Sequence, residues 1–258
     1  MAFAQAASRP IAGAVATLGV SDRVAFLRKT YSLLGIALVA FAAFTGGILK
    51  FATGTSLRFS EFALQGRLSW ILVLVLFMVV GMVAQRLAMS QTSRPLQFVG
   101  LGLAVLAQAM LLQPLLWVLI VKFGDLSQFG TALQPAITGQ AASILGQAVV
   151  ITLVIFAGLT ATVFLTKKDF SFMRGALAIA SFAFLGVIIA SWIFGFHMGG
   201  LICGMGVLLM AGYILYQTSL VMNYFPPTGY VAAALMLFST IATLFWYVLQ
   251  LLMQLNRR

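Results

Sequence analysis

Long apolar runs separated by short polar stretches set the rhythm of this chain. A helix that crosses a bilayer needs about 20 mostly apolar residues. Seven runs qualify, at 31–49, 68–84, 96–121, 140–165, 176–196, 200–221 and 230–252. Apolar positions are continuous within them rather than alternating, which excludes a closed β-barrel. The third and fourth runs are long enough to tilt or to carry an extra turn, and Pro114 is placed to kink the third. Phe225-Pro226-Pro227-Thr228-Gly229 reads as a tight hairpin that holds the last two spans antiparallel. The expectation is an all-α polytopic membrane protein. Residues 1–29 form a polar cytoplasmic N-terminal tail, without the apolar core of a signal peptide, and 30–258 form one transmembrane domain.

Composition agrees with the pattern. Of 258 residues, 62% are hydrophobic and 7% charged, with mean hydropathy +1.10, whereas a soluble globule carries about a quarter charged residues. The 24 glycines suit close helix packing in lipid. Net charge +11 is read as membrane orientation and not as nucleic-acid binding, because the basic residues cluster at the ends of apolar runs and form no stripe with interleaved aromatics. With the N-terminus inside, Arg9, Arg23, Arg28, Lys29, Arg86, Arg94, Lys167, Lys168 and Arg174 fall on the cytoplasmic side. Lys50, Arg58, Arg67, Lys122, Arg257 and Arg258 fall on the other. The loop TKKDFSFMRG gives the clearest local preference for the cytoplasm. The expected location is a bacterial inner membrane, with the N-terminus cytoplasmic and the C-terminus outside.

The four acidic residues, Asp22, Glu61, Asp125 and Asp169, all lie in loops or the tail on this map. Proton relays and cation paths through lipid usually depend on intramembrane carboxylates, so their placement narrows the chemistry. Intramembrane aspartyl proteolysis lacks its two buried aspartates. The lone His197 has no serine nucleophile in a Gly-rich turn beside it and is read as interfacial. The last span has no lysine for a retinal Schiff base, and no metal-ligand cluster or phosphate loop is present. No enzymatic activity, cofactor or metal is expected. Cys203 is read as a packing residue, Gly200-x-x-x-Gly204 as an internal packing face, and Asp169 and Ser171 as caps for the fifth helix.

Buried amides carry more information. Gln108, Gln147 and Gln217 lie well inside their spans, with Ser239, Thr240 and Thr243 in the last one. An amide facing lipid leaves its donors and acceptor unsatisfied, so all six are expected to turn inward and pair. Structural glue is the bland role for each, and a transport path along them is the sharper one.

Three stretches together resemble the Bax inhibitor-1 family, also called the transmembrane Bax-inhibitor-motif or YccA-like group. They are FLRKTYSLLGIALVAFAAFTG at the first span, TLVIFAGLTATVFLTKKDFSFMRGAL at the fourth, and GYILYQTSLVMNYFPPTGYVAAALMLFSTIATLFWYVLQLL at the last hairpin. The resemblance covers about Phe26 to the C-terminus. It implies a seven-helix bundle with the last helix central, and a pH-sensitive calcium leak governed by a pair of aspartates on the last two helices. Bacterial relatives are further associated with a membrane-bound ATP-dependent protease. The family's Tyr-Asp-Thr corresponds here to Tyr216-Gln217-Thr218. Its last-helix aspartate corresponds to Thr240 in Leu237-Phe238-Ser239-Thr240-Ile241-Ala242-Thr243. Arg86 is a candidate for the family's basic partner to the sensor, against a plain snorkelling role. On this alignment both sensor positions are neutral.

Two close carboxylates can share a proton and titrate near neutrality; Gln and Thr titrate nowhere. Calcium favours carboxylate oxygens, so an amide and hydroxyls would hold it weakly. The expected function is therefore a regulatory or scaffold protein that contacts the bilayer and other membrane proteins, including a membrane protease. The alternative is an ion or small-solute path along Gln217, Thr240 and Thr243 without the acidic pH sensor.

Overall fold

The structure is a computed structural model and describes residues 15–17, 19–90, 93–124, 137, 139–194 and 199–256. After a short 3-10 turn at Val15–Thr17, these residues form eight helices: α1 (Val20–Phe51), α2 (Thr53–Leu64), α3 (Arg67–Ala88), α4 (Arg94–Phe123), α5 (Gly139–Thr166), α6 (Met173–Phe194), α7 (Gly199–Asn223) and α8 (Tyr230–Leu255). All but α2 are long and apolar enough to cross a membrane. The chain is an all-α polytopic membrane protein with seven candidate spans, at the places the apolar runs predict. The face carrying the start of α1 is called the N-face, and the face where α8 ends is called the C-face.

Large hydrophobic side chains cover the outside of the bundle. Val39, Leu68, Val154, Phe182 and Phe194 are among those largely exposed. Such a surface belongs in lipid, where it costs nothing to leave apolar groups outward and where backbone bonds must close within each helix. Most of α8 is buried, as is most of α4, whereas α3 and α6 are mainly exposed. α8 packs on α1, α3, α4, α5 and α7, so the last helix is central. The ring around it is incomplete. α6 packs chiefly on α7 and reaches the centre through Phe184, whose ring meets Tyr247 edge-on at 5.7 Å.

The interior holds two main apolar clusters, one on each side of mid-depth. Phe26, Leu34, Leu101, Val221, Leu237 and Phe238 belong to the N-face cluster. Leu116, Leu119, Ile144, Ile214, Leu244 and Leu249 belong to the C-face cluster. Close approach depends on small residues in lipid, and two glycines provide it. A Cβ at Gly100 of α4 would lie 2.6 Å from both Ala84 O and Ala88 N of α3, and one at Gly206 of α7 would lie 2.7 Å from the Tyr247 ring. The sequence assigns the packing face to Gly200 and Gly204, but a Cβ at Gly204 meets nothing within 4 Å. A Cβ at Gly200 would lie 3.4 Å from Gln254 Oε1 of α8, so that half of the expected face packs, and the closer approach sits at Gly206.

Two local features differ from the sequence reading. α1 starts at Val20, inside the stretch read as tail, and Val15 is fully buried with its N–H donating to Phe225 O at 2.9 Å. The stretch between the first two spans, read as loop, holds α2, whose Ser56, Ser60 and Ala63 are buried as it packs on α4. Pro114 lies inside α4, which runs through it as one helix, as the third apolar run does. His197 and Asp125, and the basic residues Arg9, Arg257 and Arg258, lie outside the described residues.

Candidate functional site

The α7–α8 hairpin is the most extensively packed helix pair. Its turn closes with Gly229 N–H donating to Pro226 O at 2.9 Å. That antiparallel pairing sets Gln217 opposite Thr240. Thr240 Oγ1 donates to Gln217 Oε1 at 2.7 Å, with a second, longer contact to Met236 O at 3.3 Å on its own helix. Thr240 is buried and Gln217 half-buried. The pair is a direct, neutral cross-helix bond, and neither partner can gain or lose a proton in the physiological range.

The other candidates divide. Thr243 spends its hydroxyl on Ser239 O at 2.8 Å, one turn back on α8, so it does not join the pair. Arg86 is exposed at the N-face end of α3 and also takes no part. Gln108 and Ser239 line a cavity of about 230 Å³ between α3, α4 and α8, with Leu74, Phe77 and Leu235. Gln147 contradicts the inward expectation: it is exposed and donates to Ser143 Oγ at 3.1 Å on the same helix. α5 is apolar on every side, so its periodicity gives no hint of which face turns in.

The amide that does sit in the interior is Gln113, which sequence reasoning passed over. It is fully buried. Its Oε1 accepts from Ser56 Oγ at 2.9 Å, and its Nε2 donates to Thr45 O at 3.2 Å and to Ala109 O at 3.1 Å. Ser56 Oγ in turn accepts from Trp117 Nε1 at 2.9 Å. This network ties α1, α2 and α4 together near the C-face.

At the N-face a carboxylate enters the architecture. α5 ends as Lys167 takes a left-handed φ of 51°, and the loop turns Asp169 onto α7. Ser219 Oγ donates to Asp169 Oδ1 at 3.0 Å, Tyr224 Oη donates to Oδ2 at 2.7 Å, and Ser171 N–H donates to Oδ1 at 2.9 Å. Phe170 N–H donates to Ser219 Oγ at 2.9 Å. Partial burial pushes the Asp169 pKa up, but the hydrogen bonds from Tyr224, Ser171 and Ser219 outweigh it and hold the carboxyl below its ordinary range. The capping expectation is thus corrected: Asp169 clasps the end of α7, and its backbone partner, Ser171, precedes the first turn of α6. None of its hydrogen bonds reaches Gln217 or Thr240. Asp22 and Glu61 are exposed, so every carboxylate among the described residues stands off the Gln217–Thr240 contact.

Cys203 is buried, close to Gln250 Oε1 at 3.5 Å and Gln254 Nε2 at 3.4 Å on α8. It acts as a packing residue between the two helices. Thr30, Thr45 and Thr160 are buried with hydroxyls that have no hydrogen-bond partner among the described residues.

Comparison with known proteins gives a consistent result. The family described as "Inhibitor of apoptosis-promoting Bax1" matches residues 23–257. The chain is similar to Bax inhibitor 1 of Schizosaccharomyces pombe, at 30% identity over 243 residues, covering 92% of this chain and 79% of the relative. Protein lifeguard 4 of Mus musculus is 27% identical over 248 residues, covering 95% and 91% of the two chains. The Golgi anti-apoptotic protein of Vaccinia virus (strain Lister) is 27% identical over 250 residues, again covering 95% and 91%.

Proposed function

Since the chain belongs to the Bax inhibitor-1 family, we propose that it is a non-enzymatic regulatory or scaffold protein of membrane homeostasis, acting through helix-face contacts with other membrane proteins. A membrane-bound quality-control protease is the first partner to seek. The location that fits the sequence is a bacterial inner membrane, with the N-terminus cytoplasmic. Two relatives, named Bax inhibitor 1 and Golgi anti-apoptotic protein, carry names that speak of restraint on cell death, which is regulation rather than turnover of a substrate.

One contact carries the proposal. Thr240 and Gln217 meet at 2.7 Å where α7 and the central α8 face each other across the hairpin. The resemblance of the sequence puts the family's acidic sensor at these positions. A neutral bond holds the hairpin without reporting pH, and it offers calcium no carboxylate oxygen. Purification from native membranes under mild detergent tests the proposal. Specific, stoichiometric membrane-protein partners support it, and a partner-free monomer contradicts it.

A second reading has its own support. The cavity bearing Gln108 and Ser239, together with the hydroxyls of Thr30 and Thr160, which have no partner among the described residues, supplies polar groups inside the bundle for an ion or small-solute path. Reconstituted protein that conducts calcium or a small solute equally at acidic and neutral pH favours this path over the scaffold.

A further inference from the structure

A crevice opens in the side of the bundle between α1 and α5. Both helices pack on α8, yet they make no extensive contact with each other. They touch toward the N-face, where the rings of Tyr31 and Phe164 meet at 5.7 Å. From there toward the C-face they part and leave a pocket of about 420 Å³. Leu38 and Leu49 of α1 and Leu145 and Leu153 of α5 line its walls, and Ile241 and Phe245 of the central helix form its floor. Its volume falls in the range of about 300–1,000 Å³ typical of ligand sites. Its rim is exposed, with Val39 71% and Leu153 45% accessible, whereas Ile241 and Phe245 at the floor are 2% and 8% accessible.

We propose that this pocket binds the acyl chain of a membrane lipid. It lies between spanning helices and is continuous with the lipid-facing surface of the protein, so its mouth opens onto hydrocarbon. An apolar cavity does not hold water, which needs two or more polar partners, and takes an apolar guest instead. Two polar side chains line it, Thr45 and Thr152, and Thr152 spends its hydroxyl on Ala148 O at 2.7 Å. Thr45 lines the pocket toward the C-face, is 8% accessible, and has a hydroxyl with no partner among the described residues. Its own carbonyl is already engaged by Gln113. Five residues further, about 7.5 Å along the helix at 1.5 Å per residue, Lys50 ends the apolar part of α1. A chain entering from the C-face leaflet keeps its polar head at the depth of Lys50, outside the pocket lining. Its methylenes then lie against Phe245 and Ile241. The occupant differs from the surrounding bilayer in one respect: it touches the central helix, which the other helices screen from ordinary lipid. Occupancy is independent of whether the protein conducts ions.

Photolabelling tests this in liposomes that hold the full chain, using palmitic acid with a mid-chain diazirine as the probe. Label is expected on 38–49 of α1, 145–153 of α5 and, decisively, 241–245 of α8, and unlabelled palmitic acid should compete it away. Gly46 lines the pocket, and a Cβ there meets nothing within 4 Å, so Gly46→Phe fills the mouth without a backbone clash. That variant should lower α8 labelling several-fold. Gly186→Phe, an equally open position on α6, should leave it unchanged. Label confined to the outward faces of the helices and insensitive to competitor overturns the proposal on the wild-type protein alone. So does α8 labelling that persists in Gly46→Phe.

Discussion

At the residue scale the paired polar groups of the interior, Gln217 with Thr240 and Gln113 with Ser56, are neutral and bonded at short range. Interhelical hydrogen bonds in membranes average about 0.6 kcal/mol and reach about 1.7, so the Thr240–Gln217 bond joins α7 and α8 without dominating their packing. Thr240→Val should lower stability in detergent by about 1 kcal/mol, read from thermal or denaturant unfolding. A double-mutant cycle with Gln217→Leu should return most of that as coupling, because each change removes the same bond. Gln113 is a different case. It engages Ser56, Thr45 and Ala109 at once from full burial, and Gln113→Leu leaves the Ser56 O–H without its acceptor among apolar atoms, while Thr45 O keeps its place in the α1 ladder. The expected loss is about 1–3 kcal/mol, larger than for Thr240→Val by the same assay. Asp169 sets the pH behaviour of the N-face. Its carboxyl is held below the ordinary range, so the clasp on Ser219 and Tyr224 contributes stability above the unfolded pKa and loses it as pH falls through the lowered folded pKa. Wild type should exceed Asp169→Asn in stability across neutral and mildly acidic pH. The two should converge only below about pH 4, the ordinary carboxylate value. Convergence nearer neutrality contradicts the depressed pKa.

At the scale of elements, the closeness of α3 and α4 depends on the missing side chain of Gly100. Gly100→Leu drives carbon into Ala84 O and Ala88 N, which are backbone atoms and cannot rotate away. It should cost about 1–3 kcal/mol or more. Gly81→Leu on α3 meets no neighbour within 4 Å at its Cβ and should be close to neutral in the same unfolding assay. The seven spans were legible because a continuous apolar run about the thickness of a bilayer has few alternatives. α2 was not: it has 12 residues with Arg58 and Glu61 among them, too short and too polar to register as a span. The hairpin followed from the proline turn, and the Gln217–Thr240 pair came from the resemblance, which sets the family's two sensor positions on the last two helices. The burial of Gln113 and the exposure of Gln147 did not follow. A helix apolar on all sides has no stripe to tell lipid from protein, and only the neighbouring helices decide which amide is enclosed.

At the scale of the whole molecule, a central helix is enclosed by five others, and its contact with α7 includes a bond between two groups that cannot ionise. The carboxylates among the described residues lie at the ends or on the outside, and the one that is engaged, Asp169, fastens a loop at the N-face. Among the described residues the Gln217–Thr240 contact has no group that titrates, so the proposed function predicts a bundle that holds its state between mildly acidic and neutral pH. Calcium flux through the protein reconstituted in proteoliposomes, measured across that pH range, tests this most directly. The account predicts a flux, large or negligible, that does not change with pH in the wild type, and a pH response gained when Gln217→Asp and Thr240→Asp are combined. A steep pH transition in the wild-type protein contradicts it.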